Sequence, residues 1–149
     1  MLTGGVVGQV FLAARGVDLG KPNMDFLKQK GLMDLLPGIK GLIDKYSNRI
    51  KTPKDLAAEI NGERKEISVN DLPVNHSTFD IGPKTVEEYS KIIKSAKSIV
   101  VSGPMGVYEN KKFAFGTKNI FEEIATSRAF SLAGGGHTIA ALQEFGLSK

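Results

Sequence analysis

Apolar residues in the first third of the chain recur at helical spacing and are interrupted by glycine and proline. One helix is predicted between Gly5 and Gly16, because apolar side chains share one face there: Val6, Val7, Val10, Phe11 and Ala14. A second helix is predicted to be capped by Asn23 and to end at Gly31. Beyond Pro37, a third helix is predicted from another such series: Ile39, Leu42, Ile43 and Tyr46.

The next segment alternates between apolar and other side chains on both sides of an Asn-Gly pair. The alternating residues are Leu56, Ala58 and Ile60 before the pair, and Ile67 and Val69 after it. Asn61-Gly62 suits the left-handed backbone of a two-residue turn. The pattern therefore predicts an antiparallel hairpin.

After Pro73 short strand patterns alternate with helical ones. Strands are predicted around 79–81, 98–101 and 130–133, and the helix after the first begins with the capping-box spacing of Thr85 to Glu88. This order predicts an α/β fold, a three-layer Rossmann-like parallel sheet with helices on both faces, plus the small antiparallel hairpin. Residues 1–149 are interpreted as one domain, in which the parallel strands end at one edge.

Two predicted strands run into glycine-rich turns at that edge. The first turn is Ser102-Gly-Pro-Met-Gly106, and the second is Gly134-Gly-Gly-His-Thr138. Glycines let main-chain N–H groups approach an anion, and the start of a helix adds unpaired N–H groups and the positive end of its dipole. Three successive glycines favour an anion site over a simple tight turn. The Gly-x-Gly-x-x-Gly and Gly-Lys-Ser/Thr fingerprints are both absent.

Two polar residues of this region have alternative interpretations. Glu109, in the long connection between Ser102 and Gly116, suits either a ribose hydroxyl contact or a solvated loop charge. His137 suits either a ligand or acid/base role or an exposed surface position. Spacing alone does not decide between these alternatives.

The composition excludes several kinds of site and favours certain ligands. The 149 residues contain no cysteine and two histidines, which excludes disulfides and thiolate metal sites. The net charge of +4 comes from lysines scattered along the chain, which favours a solvated surface or a small anionic ligand over nucleic acid. No apolar run is long enough for a membrane span and no secretory signal is visible, so a cytoplasmic location is expected.

Six segments together resemble phosphoglycerate kinase, and specifically its C-terminal, nucleotide-binding domain. They are Leu2-Thr-Gly-Gly5, Gly20-Lys-Pro-Asn23, Asp80-Ile-Gly-Pro-Lys-Thr85, Ser102-Gly-Pro-Met-Gly-Val-Tyr-Glu109, Phe115-Gly-Thr117 and Gly134-Gly-Gly-His-Thr138. Their order and spacing extend the resemblance over essentially the whole chain. Ser102 stands where the family usually has asparagine and His137 where it usually has aspartate, as in the archaeal branch.

The resemblance implies reversible phosphoryl transfer between 1,3-bisphosphoglycerate and ADP, with Mg²⁺, in glycolysis and gluconeogenesis. It implies that Gly4 and Gly5 line the adenine slot and that Glu109 holds the ribose. The other nucleotide-binding positions that it implies are Ser102, Pro104, Gly106 and Val107 beside the nucleotide, and Gly135, Gly136 and Thr138 at the phosphates. Gly134, Gly135 and Gly136 are the expected catalytic positions, since they would stabilise the transferred group.

Two departures from the family pattern carry further expectations. His137 takes the position of the usual magnesium ligand, and imidazole is a poor ligand for this oxygen-preferring cation. The chain is also expected to be truncated at both ends, without the family's lysine-bearing loop and its N-terminal domain, which binds 3-phosphoglycerate. We therefore expect it to be inactive alone.

The alternative is a noncatalytic remnant or assembly module with at most weak nucleotide binding. Such a module would form a homo-oligomer through an uncovered sheet edge.

Overall fold

Six α-helices and five strands occur among residues 1–148, the part of the chain that the computed structural model describes. The helices are α1 (Gly5–Ala14), α2 (Lys21–Gln29), α3 (Leu36–Tyr46), α4 (Pro83–Ser95), α5 (Phe115–Thr126) and α6 (Gly136–Glu144). The strands are β1 (Asp55–Ile60), β2 (Glu63–Ser68), β3 (Thr78–Ile81), β4 (Ser98–Ser102) and β5 (Phe130–Gly134). Short 3₁₀ helices span Met33–Leu35, Ser47–Arg49, Val69–Asp71 and Lys111–Phe113.

The strands form two separate sheets. β4 and β5 pair in parallel, from Ser98 opposite Phe130 to Ser102 opposite Gly134, and helices α4 to α6 pack against one face of this pair. The other sheet is antiparallel with the order β2-β1-β3. The structure therefore confirms the predicted α/β class, with one correction: the predicted strand at 79–81 pairs antiparallel with β1 and does not join the parallel sheet. Its sequence shows an extended segment but carries no information about its partner.

The predicted hairpin is confirmed. Ile60 pairs with Glu63, so that Asn61 and Gly62 form the two-residue turn between β1 and β2. Both turn residues have positive φ, 53° and 76°, as this turn requires.

The two glycines that were predicted to end helices are confirmed, with Gly31 (φ 68°) following α2, whereas two predicted caps at helix starts are wrong. Gly16 follows α1 with φ 89°, as expected of a glycine after a helix C-terminus. The prediction that Asn23 caps α2 is wrong, because the helix begins two residues earlier, at Lys21. The Asn23 amide instead donates to the carbonyl oxygens of Leu19 and His76, at 2.9 and 3.0 Å. Proline is accepted in a first helical turn, so Pro22 permits this earlier start.

The predicted capping box at Thr85 to Glu88 is also wrong. α4 begins at Pro83 and its capping residue is Gly82. The cap comes instead from β1: the carboxylate of Asp55 accepts hydrogen bonds from the N–H groups of Lys84 (3.0 Å) and Thr85 (2.9 Å). A distant carboxylate thus satisfies the orphan donors of the helix and favours the positive end of its dipole.

Two main apolar clusters hold the helices against the sheets. One lies between β4, β5 and helices α4 to α6, and its buried residues include Ile81, Tyr89, Ile93, Ile120, Phe121 and Ala141. The other joins α1, α2 and β1 through Val10, Leu12, Leu19, Leu27 and Leu56. No helix among residues 1–148 has the length and apolar character that a membrane crossing needs.

The other face of the parallel pair is open. Val100, Phe130 and Leu132 have exposed fractions of 79%, 74% and 60%. Because neighbouring residues of a strand point to opposite faces, Ile99 and Val101 pack into the core while Val100 points away from it. This part of the chain therefore carries a strand pair with an uncovered apolar face.

The buried cap on α4 leads to a stability prediction. Replacement of Asp55 by alanine removes the acceptor for two main-chain N–H groups and leaves that of Thr85 buried without a partner, which is expected to lower the free energy of unfolding by about 3 kcal/mol. Chemical denaturation followed by circular dichroism measures this loss. Asp25→Ala is the matched control, since that aspartate is exposed and its ion pair with Lys21 lies on the surface of α2. Equal losses in the two variants would contradict the capping role.

Candidate functional site

The two parallel strands end side by side, and each is followed by a glycine in the left-handed region. Ser102 opposite Gly134 is the last pair of the ladder. Gly103 and Gly135 come next, with φ 94° and 96°. A side chain at either position would be strained, so the chain turns sharply at both strand ends. The turns thus leave the same edge of the sheet, as the sequence predicted.

The turn after β4 is fixed by hydrogen bonds that the N–H groups of every second residue donate. Gly103 donates to Oγ1 of Thr138 at 2.7 Å, and Met105 donates to Oγ1 of Thr117 at 3.0 Å. Val107 donates to the carbonyl oxygen of Phe79 at 2.8 Å. The segment is therefore fixed from three sides, by α6, α5 and β3.

Close backbone approach joins this turn to the start of α1. The N–H of Gly5 donates to the carbonyl oxygen of Met105 at 2.8 Å. A Cβ atom at Gly4 would meet the sulfur of Met105, and one at Gly106 would meet the carbonyl oxygen of Phe79. The two glycines permit a contact between main chains that a side chain would prevent.

A cavity of about 800 Å³ lies beside these segments. Six of the residues that were predicted to bind a nucleotide line it: Gly4, Gly5, Ser102, Pro104, Gly106 and Val107. Its volume is in the range of small-molecule sites. The fold therefore brings residues that are about 100 positions apart in the sequence to one concave surface.

The triple-glycine turn has a different character, because it faces open space. A Cβ atom at Gly134 or Gly136 would meet no atom within 4 Å. The described hydrogen bonds include none donated by the N–H groups of Gly136, His137 and Thr138, which form the first turn of α6. Unpaired N–H groups at a helix start with free space before them suit an anion.

Glu109 and Thr138 lie in contrasting environments. Glu109 is exposed, and it does not line the cavity described above. Its neighbour Tyr108 is buried, and the ring of Tyr108 packs edge-to-face against that of Phe145, with the ring centres 6.2 Å apart. Thr138 is fully buried, and its hydroxyl oxygen accepts the Gly103 hydrogen bond. The side chain of Thr138 therefore contacts the neighbouring turn.

The residues present do not fit a magnesium ion held by the protein. His137 is exposed and provides a nitrogen donor, whereas Mg²⁺ prefers carboxylate and other oxygen ligands. Within residues 1–148 no group of three or more His, Cys, Asp or Glu side chains is arranged to hold a metal. We derive no chemical step that requires such an ion.

Asp80 is a buried residue to which the sequence pattern gave no role. Its carboxylate accepts hydrogen bonds of 2.8 Å from the N–H groups of Gly116 and Ile81 and from Nη1 of Arg64. Burial raises the pKa of Asp80 to about 6, against the lowering effect of these donors. The carboxylate therefore links β3 to the start of α5, next to the segment that carries Met105.

Arg64 completes this arrangement. Its guanidinium carbon lies 5.2 Å from the ring centre of Phe115 and 5.9 Å from that of Phe113. It also donates to the carbonyl oxygens of Lys112 and Ile81, at 2.9 and 3.1 Å. Such a side chain joins β2 to the end of the long loop. No local motif marks it, because its partners come from distant parts of the sequence.

Parallel strands with glycine turns at one edge define an open α/β protein with room for a small ligand there. A family model described as "Phosphoglycerate kinase" matches residues 1–149. A phosphoglycerate kinase of Pyrococcus abyssi is 43% identical over 151 residues, covering 99% of this chain and 37% of that protein. One of Thermoplasma volcanium is 46% identical over 152 residues, covering all of this chain and 37% of that protein.

Solved structures agree with these sequence matches. A crystal structure of phosphoglycerate kinase from Pyrococcus horikoshii matches with a TM-score of 0.90 and 43% identity, over 97% of this chain and 36% of that one. The enzyme from Coxiella burnetii matches with a TM-score of 0.85 and 30% identity, over 98% and 38%. The chain belongs to the phosphoglycerate kinase family and spans a little over a third of the length of these relatives.

Because the pKa of Asp80 is raised, we expect the stability of the protein to depend on pH. Since this pKa lies above the ordinary 3.8, the folded state binds the proton more tightly than the unfolded chain does. This contribution is fully present below about pH 4 and is lost as the pH rises to about 6. The free energy of unfolding of the wild type, relative to that of Asp80→Asn, should fall by up to about 3 kcal/mol between pH 4 and pH 7. Parallel urea unfolding curves measure it; a constant difference would contradict the raised pKa.

The close contact at Gly106 predicts a steric effect. Gly106→Ala adds a Cβ against the Phe79 carbonyl and is expected to cost about 2 kcal/mol of stability, since the main chain must move. Gly38→Ala is the matched control: it lies in α3 with no atom within 4 Å of the added Cβ, and it should stabilise by up to about 1 kcal/mol. Thermal unfolding of both variants provides the comparison, and a stable Gly106→Ala protein would argue against the close packing.

Proposed function

We propose that the chain is the adenine-nucleotide half of a phosphoglycerate kinase, corresponding to its C-terminal nucleotide-binding domain. On this proposal residues 1–149 form a single, partial domain. The main support is the juxtaposition of two turns: the Gly103 N–H to Thr138 hydrogen bond holds the cavity-lining segment beside the open triple-glycine turn. One ligand with a nucleoside at one end and phosphates at the other suits both environments.

The nucleoside end is assigned to the cavity. Gly4 and Gly5 would line the adenine slot, and Pro104, Gly106 and Val107 would flank the nucleoside, with Ser102 beside them. Mainly apolar surface with few polar groups is typical of a site for a flat heterocycle. Glu109 would accept hydrogen bonds from the ribose hydroxyls, which its exposed position on the same loop allows.

The phosphate end is assigned to the start of α6. The main-chain N–H groups of Gly135, Gly136, His137 and Thr138 would hold the phosphate oxygens, aided by the positive end of the helix dipole. Their open surroundings support this role, since a phosphate needs the space that side chains would fill. The Thr138 side chain has no part in this contact, because its hydroxyl is buried against Gly103.

The proposed reaction moves a phosphoryl group between the acyl phosphate of 1,3-bisphosphoglycerate and ADP, giving 3-phosphoglycerate and ATP in glycolysis. Such transfer depends on positioning and charge stabilisation and needs no nucleophilic side chain. Gly134, Gly135 and Gly136 are the proposed catalytic positions, because their main chain would face the transferred group.

The rest of the machinery is assigned to polypeptide outside this sequence. In our proposal the 3-phosphoglycerate side belongs to another domain, and the chain by itself does not catalyse the reaction. A triphosphate carries about four negative charges, and few side-chain cations lie in the proposed phosphate turn to offset them. A cytoplasmic setting and a small-molecule partner, with no nucleic acid, are part of the same proposal.

One observation favours a second candidate, an assembly module. The apolar face formed by Val100, Phe130 and Leu132 is exposed, and contiguous exposed apolar surface is typical of interaction sites. On this reading two copies of the chain would cover each other at the β4–β5 pair, and nucleotide binding would be weak or absent.

Titration of the 149-residue chain with ADP tests the proposal. Isothermal titration calorimetry or NMR is expected to give a saturable signal, while a coupled enzyme assay gives no turnover. Gly136→Asp should abolish binding, since it places a carboxylate in the phosphate turn without a steric clash, and aspartate is favourable in a first helical turn. Gly41→Asp, in the open middle of α3, is the matched control.

The same sample separates the two candidates by its size in solution. A monomer that binds ADP supports the nucleotide site. A stable dimer, measured by sedimentation velocity, with no saturable ADP signal would contradict the proposal and support assembly.

A further inference from the structure

Three helices have a buried threonine at their third position. Thr85, Thr117 and Thr138 are each the third residue of α4, α5 and α6, and each has an exposed fraction of 0%. In all three the hydroxyl oxygen accepts a hydrogen bond from a main-chain N–H of a distant segment. Each of these threonines therefore connects the start of a helix to another part of the chain.

Helix geometry explains why the third position serves this purpose. Side chains of a helix lean toward its N-terminus, so a short side chain in the first turn lies beside the segment that enters the helix. A threonine hydroxyl accepts two hydrogen bonds and donates one. It can thus satisfy an N–H that would otherwise be buried without a partner.

The three threonines hold two different segments. Thr85 accepts from the N–H groups of Lys54 and Asp55, at 3.0 and 3.1 Å, and so holds the start of β1. Thr117 and Thr138 both hold the turn after β4, through Met105 at 3.0 Å and Gly103 at 2.7 Å. This turn receives no further ladder bonds from β5, because the last pair of the sheet is Ser102 with Gly134.

We propose that Thr117 and Thr138 are positioning residues for nucleotide binding, acting through the main chain of the turn after β4 and not through contact with phosphate. This inference rests on the function proposed above. The two hydroxyls fix residues 103–105 from two helices, so that Pro104, Gly106 and Val107 keep the position in which they line the cavity. Thr85 has the same burial and helix position but holds a segment away from the nucleotide.

The test compares valine at each of the three positions in the full 149-residue chain. Thr117→Val and Thr138→Val should weaken binding of adenosine and of ADP by the same factor, roughly tenfold, because each leaves one N–H of the turn without its acceptor. Thr138→Ser should restore both affinities. Thr85→Val should lower the melting temperature and leave both affinities unchanged. NMR titrations with adenosine and ADP provide the dissociation constants.

Amide hydrogen exchange gives a second readout that needs no ligand. Exchange at Gly103 should accelerate roughly tenfold in Thr138→Val, and exchange at Met105 should do so in Thr117→Val, while each is unchanged in Thr85→Val. If Thr138→Val does not fold, Thr138→Ala supports the same comparison.

Two results would overturn the inference. A loss of ADP affinity without a loss of adenosine affinity in Thr138→Val would mean that the hydroxyl acts on the phosphates. Unchanged affinity for both ligands, with unchanged exchange at Gly103, would mean that the bond does not hold the turn. If the wild type binds neither ligand, the proposed function fails, and exchange at Gly103 and Met105 alone decides whether the threonines hold this turn.

Discussion

Two buried carboxylates connect the antiparallel sheet to α4 and α5, two of the helices that pack against the parallel strands. Asp55, at the start of β1, accepts the first N–H groups of α4, and Asp80, in β3, accepts one from the start of α5. Each satisfies donors that a helix leaves unpaired, and each lies where burial makes an unpaired group costly. The positions of α4 and α5 depend on these contacts, and Asp80 also lines the cavity of the candidate site.

The site itself is built mainly from backbone. The turn after β4 is held by hydrogen bonds from Gly103, Met105 and Val107, and the start of α1 approaches it closely because Gly4 has no side chain. Backbone donors in fixed positions suit a reaction in which an enzyme must position and neutralise charge. His137 is exposed and offers a nitrogen donor, which distinguishes this site from one that holds its own magnesium ion through a carboxylate.

The uncovered face of the β4–β5 pair agrees with the partial coverage of the relatives. The chain spans 37% of the Pyrococcus abyssi protein, and within residues 1–148 nothing covers Val100, Phe130 and Leu132. Apolar surface of this kind is usually buried by further polypeptide, either from the same protein or from a second copy. Size in solution therefore bears on function as directly as ligand binding does.

Residue patterns along the chain determined the local features: the hairpin at Asn61-Gly62, the end of α1 at Gly16, and the two glycine turns at one sheet edge. These depend on neighbouring residues alone, through backbone preferences and the spacing of apolar side chains. The family resemblance also rested on short motifs, which consist of neighbouring residues and are visible without knowledge of the fold.

Only the tertiary structure decided the partners of polar side chains and of β3. Asn23 and Thr85 were both interpreted as local caps, yet their side chains bond to segments that local spacing does not identify. The sequence of β3 indicates an extended segment but not its partner, and in the structure β3 pairs antiparallel with β1. A hydrogen-bonding group is satisfied equally well by a near or a distant partner, and which one it meets depends on how the elements pack.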